Sequence, residues 1–174
     1  MVPTDTIYAF AASVKSKKGL EKLAKIKNVK LNKSEFSLIC DDLSEISTYT
    51  KPIDRKVFRT MKNAFPGPYT FILNANNNIA KLFGTNKKEV GIRVPDHGFT
   101  RFLIKSLGHP LVSSSVHDDD EIIQYTTDPL TIFERHENDV DAVINCGYGK
   151  NVASTIVKCT DNNPTILRQG AGIL

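Results

Sequence analysis

Cysteine is scarce in this chain and poorly placed for structural work. Cys40, Cys146 and Cys159 are odd in number and show no C-x-x-C spacing, which argues against a disulfide framework and against a zinc site. Long apolar runs are missing too. No stretch approaches about 18 apolar residues, so no transmembrane helix is expected. Met1-Val2-Pro3-Thr4-Asp5 lacks a charged segment leading into an apolar one, so no secretory signal is expected. A reducing, cytoplasmic setting follows from these absences. Several catalytic signatures are lacking as well. There is no G-x-x-x-x-G-K-S/T phosphate loop, no G-x-G-x-x-G fingerprint and no G-x-S-x-G nucleophile elbow. His97, His109, His117 and His136 have no metal-ligand spacing, so no metal site is expected.

What is present suits a single soluble domain of 174 residues, 40% hydrophobic and 24% charged. Lys and Arg number 23 against 19 Asp and Glu, a formal charge of +4. That charge is unevenly distributed. Lys15 to Lys33 holds eight lysines and one acid, Glu21, so this stretch is +7 and the remainder −3. The segment is either a solvated helix face or an electrostatic surface for phosphates. Lys27, near the helix end, is its member best placed for a pocket. The acidic run Asp118 to Glu121 reads as a solvated loop.

The apolar periodicity alternates between helix and strand. Leu20, Leu23, Ala24 and Ile26 predict a helix ending near Asn28. Val57, Phe58, Met61 and Phe65 predict a second, capped by Asp54 and closed by Pro66-Gly67-Pro68. Phe99, Phe102, Leu103 and Leu107 predict a third, with Asp96 as cap and Gly108 past its end. Pro129 after Asp128 opens a fourth. Strands are expected at 36–40, 69–73, 90–94, 110–115, 140–144, 155–157 and 165–167, and a turn at the asparagine-rich 74–78. The fold class is therefore α/β with a mixed sheet.

Polar groups gather at the ends of these strands: Pro3-Thr4-Asp5-Thr6, Arg93, Ser113-Ser114-Ser115, and Ser154 with Arg168. Ligands of open α/β sheets collect at strand ends. Two arginines with several hydroxyls suit an anionic ligand, although a strand arginine is commonly an ion-pair residue and a serine run commonly a loop.

Taken in order, the segments Pro3-Thr-Asp-Thr-Ile-Tyr8, Ile26-Lys27, Phe65-Pro-Gly-Pro-Tyr-Thr-Phe-Ile-Leu73, Val90-Gly-Ile-Arg-Val-Pro-Asp96, Pro110-Leu-Val-Ser-Ser-Ser115, Ser154-Thr-Ile-Val157 and Ile166-Leu-Arg-Gln-Gly170 resemble the YrdC/YciO family. The resemblance spans essentially the whole chain. It implies a YrdC-like twisted mixed sheet flanked by helices around a basic concave pocket. It implies synthesis of threonylcarbamoyl-AMP and pyrophosphate from L-threonine, bicarbonate and ATP, for the threonylcarbamoyl modification of tRNA. ATP, with magnesium, is then a substrate, and no tightly bound cofactor is expected.

By the same resemblance, Lys27, Arg93 and Ser115 are the catalytic candidates. Thr4, Thr6, Arg93, Ser115 and Ser154 would bind substrate, and Lys27, His117 and Arg168 the nucleotide. RNA or tRNA is a further expected partner, and the assembly a monomer or homodimer. The departures fall at the site. Val29 stands where the synthases carry the arginine of K-x-R, and His117 where they carry the asparagine of S-x-N. The N-P-L-x-x-H continuation is absent after Lys27. Phe36 to Ser47 and Phe65 to Thr70 look closest to the YciO branch, which implies the alternative of a nucleotide- or double-stranded-RNA-binding protein with a diverged, inactive site. Family members open with a helix and an apolar strand before the first motif, whereas here only Met1 and Val2 precede Pro3. The expectation is a single domain, 1–174, lacking that helix and most of that strand.

Overall fold

The structure, a computed structural model, describes residues 1–84, 87–117, 125–161 and 163–174. The acidic run Asp118 to Glu121 lies outside the described residues. In chain order the elements are β1 (Ala9–Ser13), α1 (Lys17–Ile26), β2 (Ser37–Ile39), α2 (Arg55–Ala64), β3 (Tyr69–Asn74), α3 (Asn77–Phe83), β4 (Glu89–Arg93), α4 (Gly98–Leu107), β5 (Leu111–Ser115), α5 (Pro129–His136), β6 (Thr155–Lys158) and β7 (Thr165–Arg168). The strands form one seven-stranded sheet in the order β1-β5-β2-β4-β3-β6-β7. β2 with β4 and β3 with β6 are parallel, and the other pairs are antiparallel.

Local chemistry sets the helix ends. The Ser16 hydroxyl accepts from the Gly19 amide and opens α1; Asn28, at φ 50°, follows its end. Asp54 accepts from the Lys56 and Val57 amides, and Asp128 from Leu130 with Pro129 in the first turn. A cap of this kind contributes about 1 kcal/mol by satisfying an amide that the helix leaves open. α4 is capped by His97, whose ring accepts from Thr100 N, rather than by the expected Asp96. It closes on Gly108 at φ 66°, a left-handed conformation that glycine adopts without strain.

The register divides the sheet into two unlike faces. Phe10, Leu38, Phe71, Ile92, Val112 and Val157 point to one side. There they form the main core with Leu20 and Leu23 of α1, Val57 and Met61 of α2, Ile79 and Phe83 of α3, and Ile132 of α5. The opposite face is covered at one end only. α4 sets Ile104 against Ala9, Ile39, Leu111 and Val2. Beyond that contact the face carries Ser37, Ser113, Gly91, Arg93, Thr70 and Ile156, paired across the strands. This mostly polar stretch of sheet, buried at Ser113, Arg93 and Thr70 and partly exposed at Ser37, Gly91 and Ile156, positions the candidate site.

Three expectations need correction. Residues 140–144 are not a strand; they bend at Asp141 and pass beside Met1, whose carbonyl accepts from Ile144 N. The asparagine-rich segment is not a simple turn, since Asn76 caps α3 by accepting from Asn78 N. Two predicted apolar faces are too wide. Phe58 is exposed on α2, and Phe99, Phe102 and Leu107 are exposed on α4, where Thr100 and Ile104 take the buried stripe. Phe102 is 68% exposed. Cys40, Cys146 and Cys159 are free thiols, the first and last buried and Cys146 exposed. No helix among the described residues is long and apolar enough to cross a membrane.

Candidate functional site

Arg93 ends β4 on the open face and is the centre of the site. Its Nη2 donates to Thr6 Oγ1 at 2.9 Å, to Asp5 Oδ1 at 3.1 Å and to Thr4 Oγ1 at 3.5 Å. The segment that supplies these partners is held in shape by its own hydroxyls. Thr4 Oγ1 donates to Ile7 O at 2.7 Å and accepts from Thr6 N at 3.1 Å. Thr100, on α4, pins the same segment by donating to Pro3 O at 2.6 Å. Arg93 is 8% exposed. Burial pushes its guanidinium below the ordinary value, Asp5 opposes that shift, and the charge of Arg168 adds to it. Among the described residues, Arg93 Nε and Asp5 Oδ2 have no hydrogen-bond partner. An orphaned buried donor is costly unless a ligand or water meets it.

A second cation arrives from the other side. Lys27, at the end of α1, donates through Nζ to Ser115 O at 3.1 Å and lies 5.8 Å from the centre of the Phe10 ring. Leu20, Leu23 and Ala24 turn the apolar stripe of α1 inward, so Lys17, Lys18 and Lys25 face solvent. The lysine-rich segment is thus mainly a solvated face, with Lys27 directed to the sheet. Lys22 pairs with Asp141 at 3.6 Å and Lys17 with Glu21 at 3.9 Å.

The third cation, Arg168, ends β7 and donates from Nη2 to Ser154 O at 2.9 Å. Ser154 Oγ and Thr70 Oγ1 are 2.9 Å apart and buried. His117, just past β5, lies against Tyr125 with ring centres 4.9 Å apart. Partial burial, then the charges of Lys27 and Arg168, hold its imidazole below the ordinary value. His117 therefore feels both cations, and Arg93 feels Arg168. Of the candidates named from the sequence, Thr4 and Thr6 meet Arg93 directly, Arg168 meets the Ser154 carbonyl, and Lys27 reaches the Ser115 carbonyl from the α1 side of the sheet.

A cavity of about 630 Å³ on this face is lined by Ser37, Thr70, Gly91, Ile156 and Arg168 among others, and Arg168 is the one sequence candidate in its lining. Gly91 keeps its floor low. A Cβ there would lie 2.4 Å from Ser37 Oγ and 3.2 Å from Thr70 Cγ2. Lys158 stands at the rim, paired with Glu89 at 2.9 Å. Chemically, the arrangement offers fixed cations, a neutral imidazole and several hydroxyls. It offers no cluster of metal ligands among the described residues.

Asp5 stands out in the sequence only as part of the polar run Pro3-Thr4-Asp5-Thr6, with no role of its own, and Thr70 is not among the sequence candidates. Asp5 is the acid between two threonines of the first motif, so an arginine on a neighbouring strand end was the available signal for it. Thr70 follows a Pro-Gly-Pro turn and had no signal beyond its place in a strand.

Residues 1–170 match the family model Sua5/YciO/YrdC, described as telomere recombination. YciO of Escherichia coli strain K12 is 36% identical over 172 residues, which cover 98% of this chain and 82% of that protein. Its crystal structure superposes with a TM-score of 0.87. The threonylcarbamoyl-AMP synthase of Bacillus subtilis is 28% identical over 176 residues, 97% of this chain and 48% of the synthase. A crystal structure of P. abyssi Sua5 complexed with L-threonine shares the fold at a TM-score of 0.84 and 20% identity, over 97% of this chain and 49% of that one.

Proposed function

The chain belongs to the Sua5/YciO/YrdC family, and on that premise we propose that its open sheet face binds ATP and L-threonine and forms threonylcarbamoyl-AMP. The observation that supports this reading best is the convergence of Lys27, His117 and Arg168 beside the buried Arg93. In the proposed reaction the threonine amine takes up bicarbonate with loss of water. A carbamate oxygen then attacks the α-phosphorus, and pyrophosphate leaves. Such a transfer depends on positioning and positive charge more than on a protein nucleophile. Lys27 and Arg168 would balance the phosphates, Arg93 would face the substrate carboxylate, and Thr4, Thr6, Ser115 and Ser154 would position the small substrate. ATP enters with magnesium as a substrate, and no resident cofactor is required.

The test is pyrophosphate release from ATP that depends on both threonine and bicarbonate. Release equal to a no-threonine control at high enzyme concentration would rule the synthase reading out.

A second reading draws support from Val29, which is half-exposed beyond α1 where the resemblance calls for an arginine. On this reading the face binds nucleotide or double-stranded RNA without turnover. ATP or RNA would then bind more weakly as salt rises, and no adenylate would form. Val29→Arg separates the readings. A restored charged hydrogen bond is worth about 1.5–3 kcal/mol, so threonine-dependent pyrophosphate release is expected to rise about 10- to 100-fold in kcat/KM. A variant that binds ATP and still forms no adenylate favours the binding protein.

His117 gives a pH signature. Its folded pKa lies below the ordinary value of about 6.5, so the unfolded chain binds more protons in that window and acid weakens the fold there. Phosphates placed beside the ring reverse the preference and favour the imidazolium. ATP affinity is therefore expected to rise as the pH falls from about 8 to 5.5, more steeply in the wild type than in His117→Asn. Calorimetry at several pH values measures the difference, and identical slopes would remove His117 from the site.

A further inference from the structure

α2 carries an electrostatic cost that the rest of the described chain does not offset. Arg55, Lys56, Arg59 and Lys62 are exposed, and the helix holds no acid from Arg55 to Ala64. Arg55 and Lys56 occupy the first turn, the positive end of the helix dipole, where cations weaken a helix. Arg55 and Arg59 are one turn apart, a spacing at which like charges repel. Among the described residues none of the four pairs with a carboxylate. The adjacent acid, Asp54, is turned to the Lys56 and Val57 amides as the helix cap.

Core packing fixes which way this helix faces. Val57 and Met61 are buried in the main core. With those two turned inward, Arg55, Phe58, Arg59 and Lys62 share one outward stripe. Phe58 is 41% exposed, with Arg55 three residues before it and Lys62 four after. An aromatic ring thus sits in water between cations. Arg93 is not part of this surface. It pairs with Ile39, on the face of the sheet opposite to the main core.

Phe58 also forms one wall of a cavity of about 530 Å³, with Leu43, Ile46, Lys51, Pro52 and Ile53. Ser47 lines the same cavity, and its hydroxyl has no hydrogen-bond partner among the described residues. The two rims differ in charge. Lys51 and α2 make one rim basic, whereas the exposed Asp42 and Glu45 flank Leu43 and Ser44 on the other.

We propose that this stripe and cavity dock single-stranded RNA, whether or not the open sheet face makes an adenylate. Phosphates would lie along Arg55, Arg59 and Lys62. An unstacked base would cover Phe58 at the mouth of the cavity, and Ser47 would meet a ribose 2′-hydroxyl. The acidic rim keeps the phosphate backbone on the α2 side. A duplex would meet the cations, but its bases stay stacked inside and leave Phe58 and the cavity unused. A membrane surface needs a helix with a broad outward apolar face, and the apolar face of α2 is buried in the core.

The probe is a fluorescein-labelled oligouridine of about ten nucleotides, a length that single-strand sites span, followed by anisotropy at several salt concentrations. Affinity is expected to fall with salt at a log–log slope of about −2, three phosphates at about 0.7 each. Phe58→Ala is expected to weaken binding about tenfold with the slope unchanged, because stacking releases no counterions. The double variant Arg59→Gln/Lys62→Gln should make the slope shallower by about 1.4. These positions face solvent, so the fold and any threonine-dependent pyrophosphate release should match the wild type. Arg168→Gln, which the synthase reading expects to weaken ATP binding, should leave oligouridine binding unchanged. Equal loss of oligouridine in Arg168→Gln would move RNA to the open sheet face and overturn the proposal. So would binding indifferent to Phe58→Ala, or equal competition by an RNA duplex or by polyglutamate. Oligodeoxyuridine binding as tightly as oligouridine would overturn the assignment to RNA.

Discussion

Arg93→Met is expected to destabilise the fold by about 3–5 kcal/mol, the cost of leaving one partner of a buried ion pair uncompensated. The side chains of Arg93 and Asp5 are 9% and 7% exposed, and their closest contact is 3.1 Å. Removing the guanidinium leaves the Asp5 carboxylate among Thr4, Thr6 and apolar neighbours with no cation in contact. For a chain of this length the loss corresponds to a fall in Tm of about 6–20 °C. The double variant Asp5→Asn/Arg93→Met is expected to recover at least half of the loss, since replacing both charges removes the uncompensated one. Urea unfolding of the wild type, both single variants and the double variant closes the cycle. Additive losses would show that the two residues act independently. The same cycle bears on function, because a double variant that folds well and binds no threonine separates the structural work of Arg93 from its work on substrate.

Thr155→Val is expected to loosen the last six residues and weaken nucleotide binding with them. Thr155 is fully buried on β6. Its hydroxyl donates to Gly172 O at 2.6 Å and accepts from Gly170 N at 2.9 Å and Gly172 N at 3.1 Å. Valine keeps the shape and removes the hydroxyl, orphaning the buried Gly172 amide at about 1–3 kcal/mol and weakening the part-buried Gly170 amide. The tail has little room to adjust. A Cβ on Gly172 would lie 2.3 Å from the Tyr69 ring, and one on Gly170 would lie 2.2 Å from Ala153 O. Exchange at Gly170 and Gly172 is expected to accelerate about 100-fold or more, about 3 kcal/mol of lost protection, while β3 stays protected. ATP affinity should fall about tenfold, because Arg168 lies two residues before Gly170 and shares its anchor on β6. Unchanged exchange at both glycines would show that the tail is held by other contacts.

The strand-end cations were legible in the sequence because each terminates an apolar run that no helix periodicity explains. Lys27 was legible for a related reason, as the last lysine before the pattern of α1 breaks. Asp5 was hidden, because only the fold reveals that an acid 88 residues away meets Arg93. α3 was hidden by its cap. Asparagine favours turns and helix N-caps for the same reason, a short side chain that accepts from the backbone two residues on. Asn76 does this for Asn78. Residues 140–144 have a strand's composition, but a strand needs a neighbour along its length, and this segment bonds backbone at Met1 and, through Val140 N, at His136 O in the turn after α5. The exposed phenylalanines of α4 misled the helix reading in the opposite sense. They supply periodicity, while Thr100 takes the buried position because its hydroxyl finds Pro3 O.

The strand order β1-β5-β2-β4-β3-β6-β7 also sets when the site can exist. β4 inserts between β2 and β3, so Arg93 is seated only after the middle of the chain has closed on an earlier strand. β7 is an edge strand near the C-terminal end, and it brings Arg168 to the sheet through β6. Such non-local pairings must overcome loop-closure entropy before they are rewarded, and they slow folding. During synthesis the face proposed to bind anions is therefore completed only once β7 has been made. A nascent chain of 150 residues holds Asp5 and Arg93 but neither Ser154 nor Arg168. On the proposed reading, nucleotide would bind and stabilise only a chain that includes β7, so ligand present during translation would act after the early folding steps.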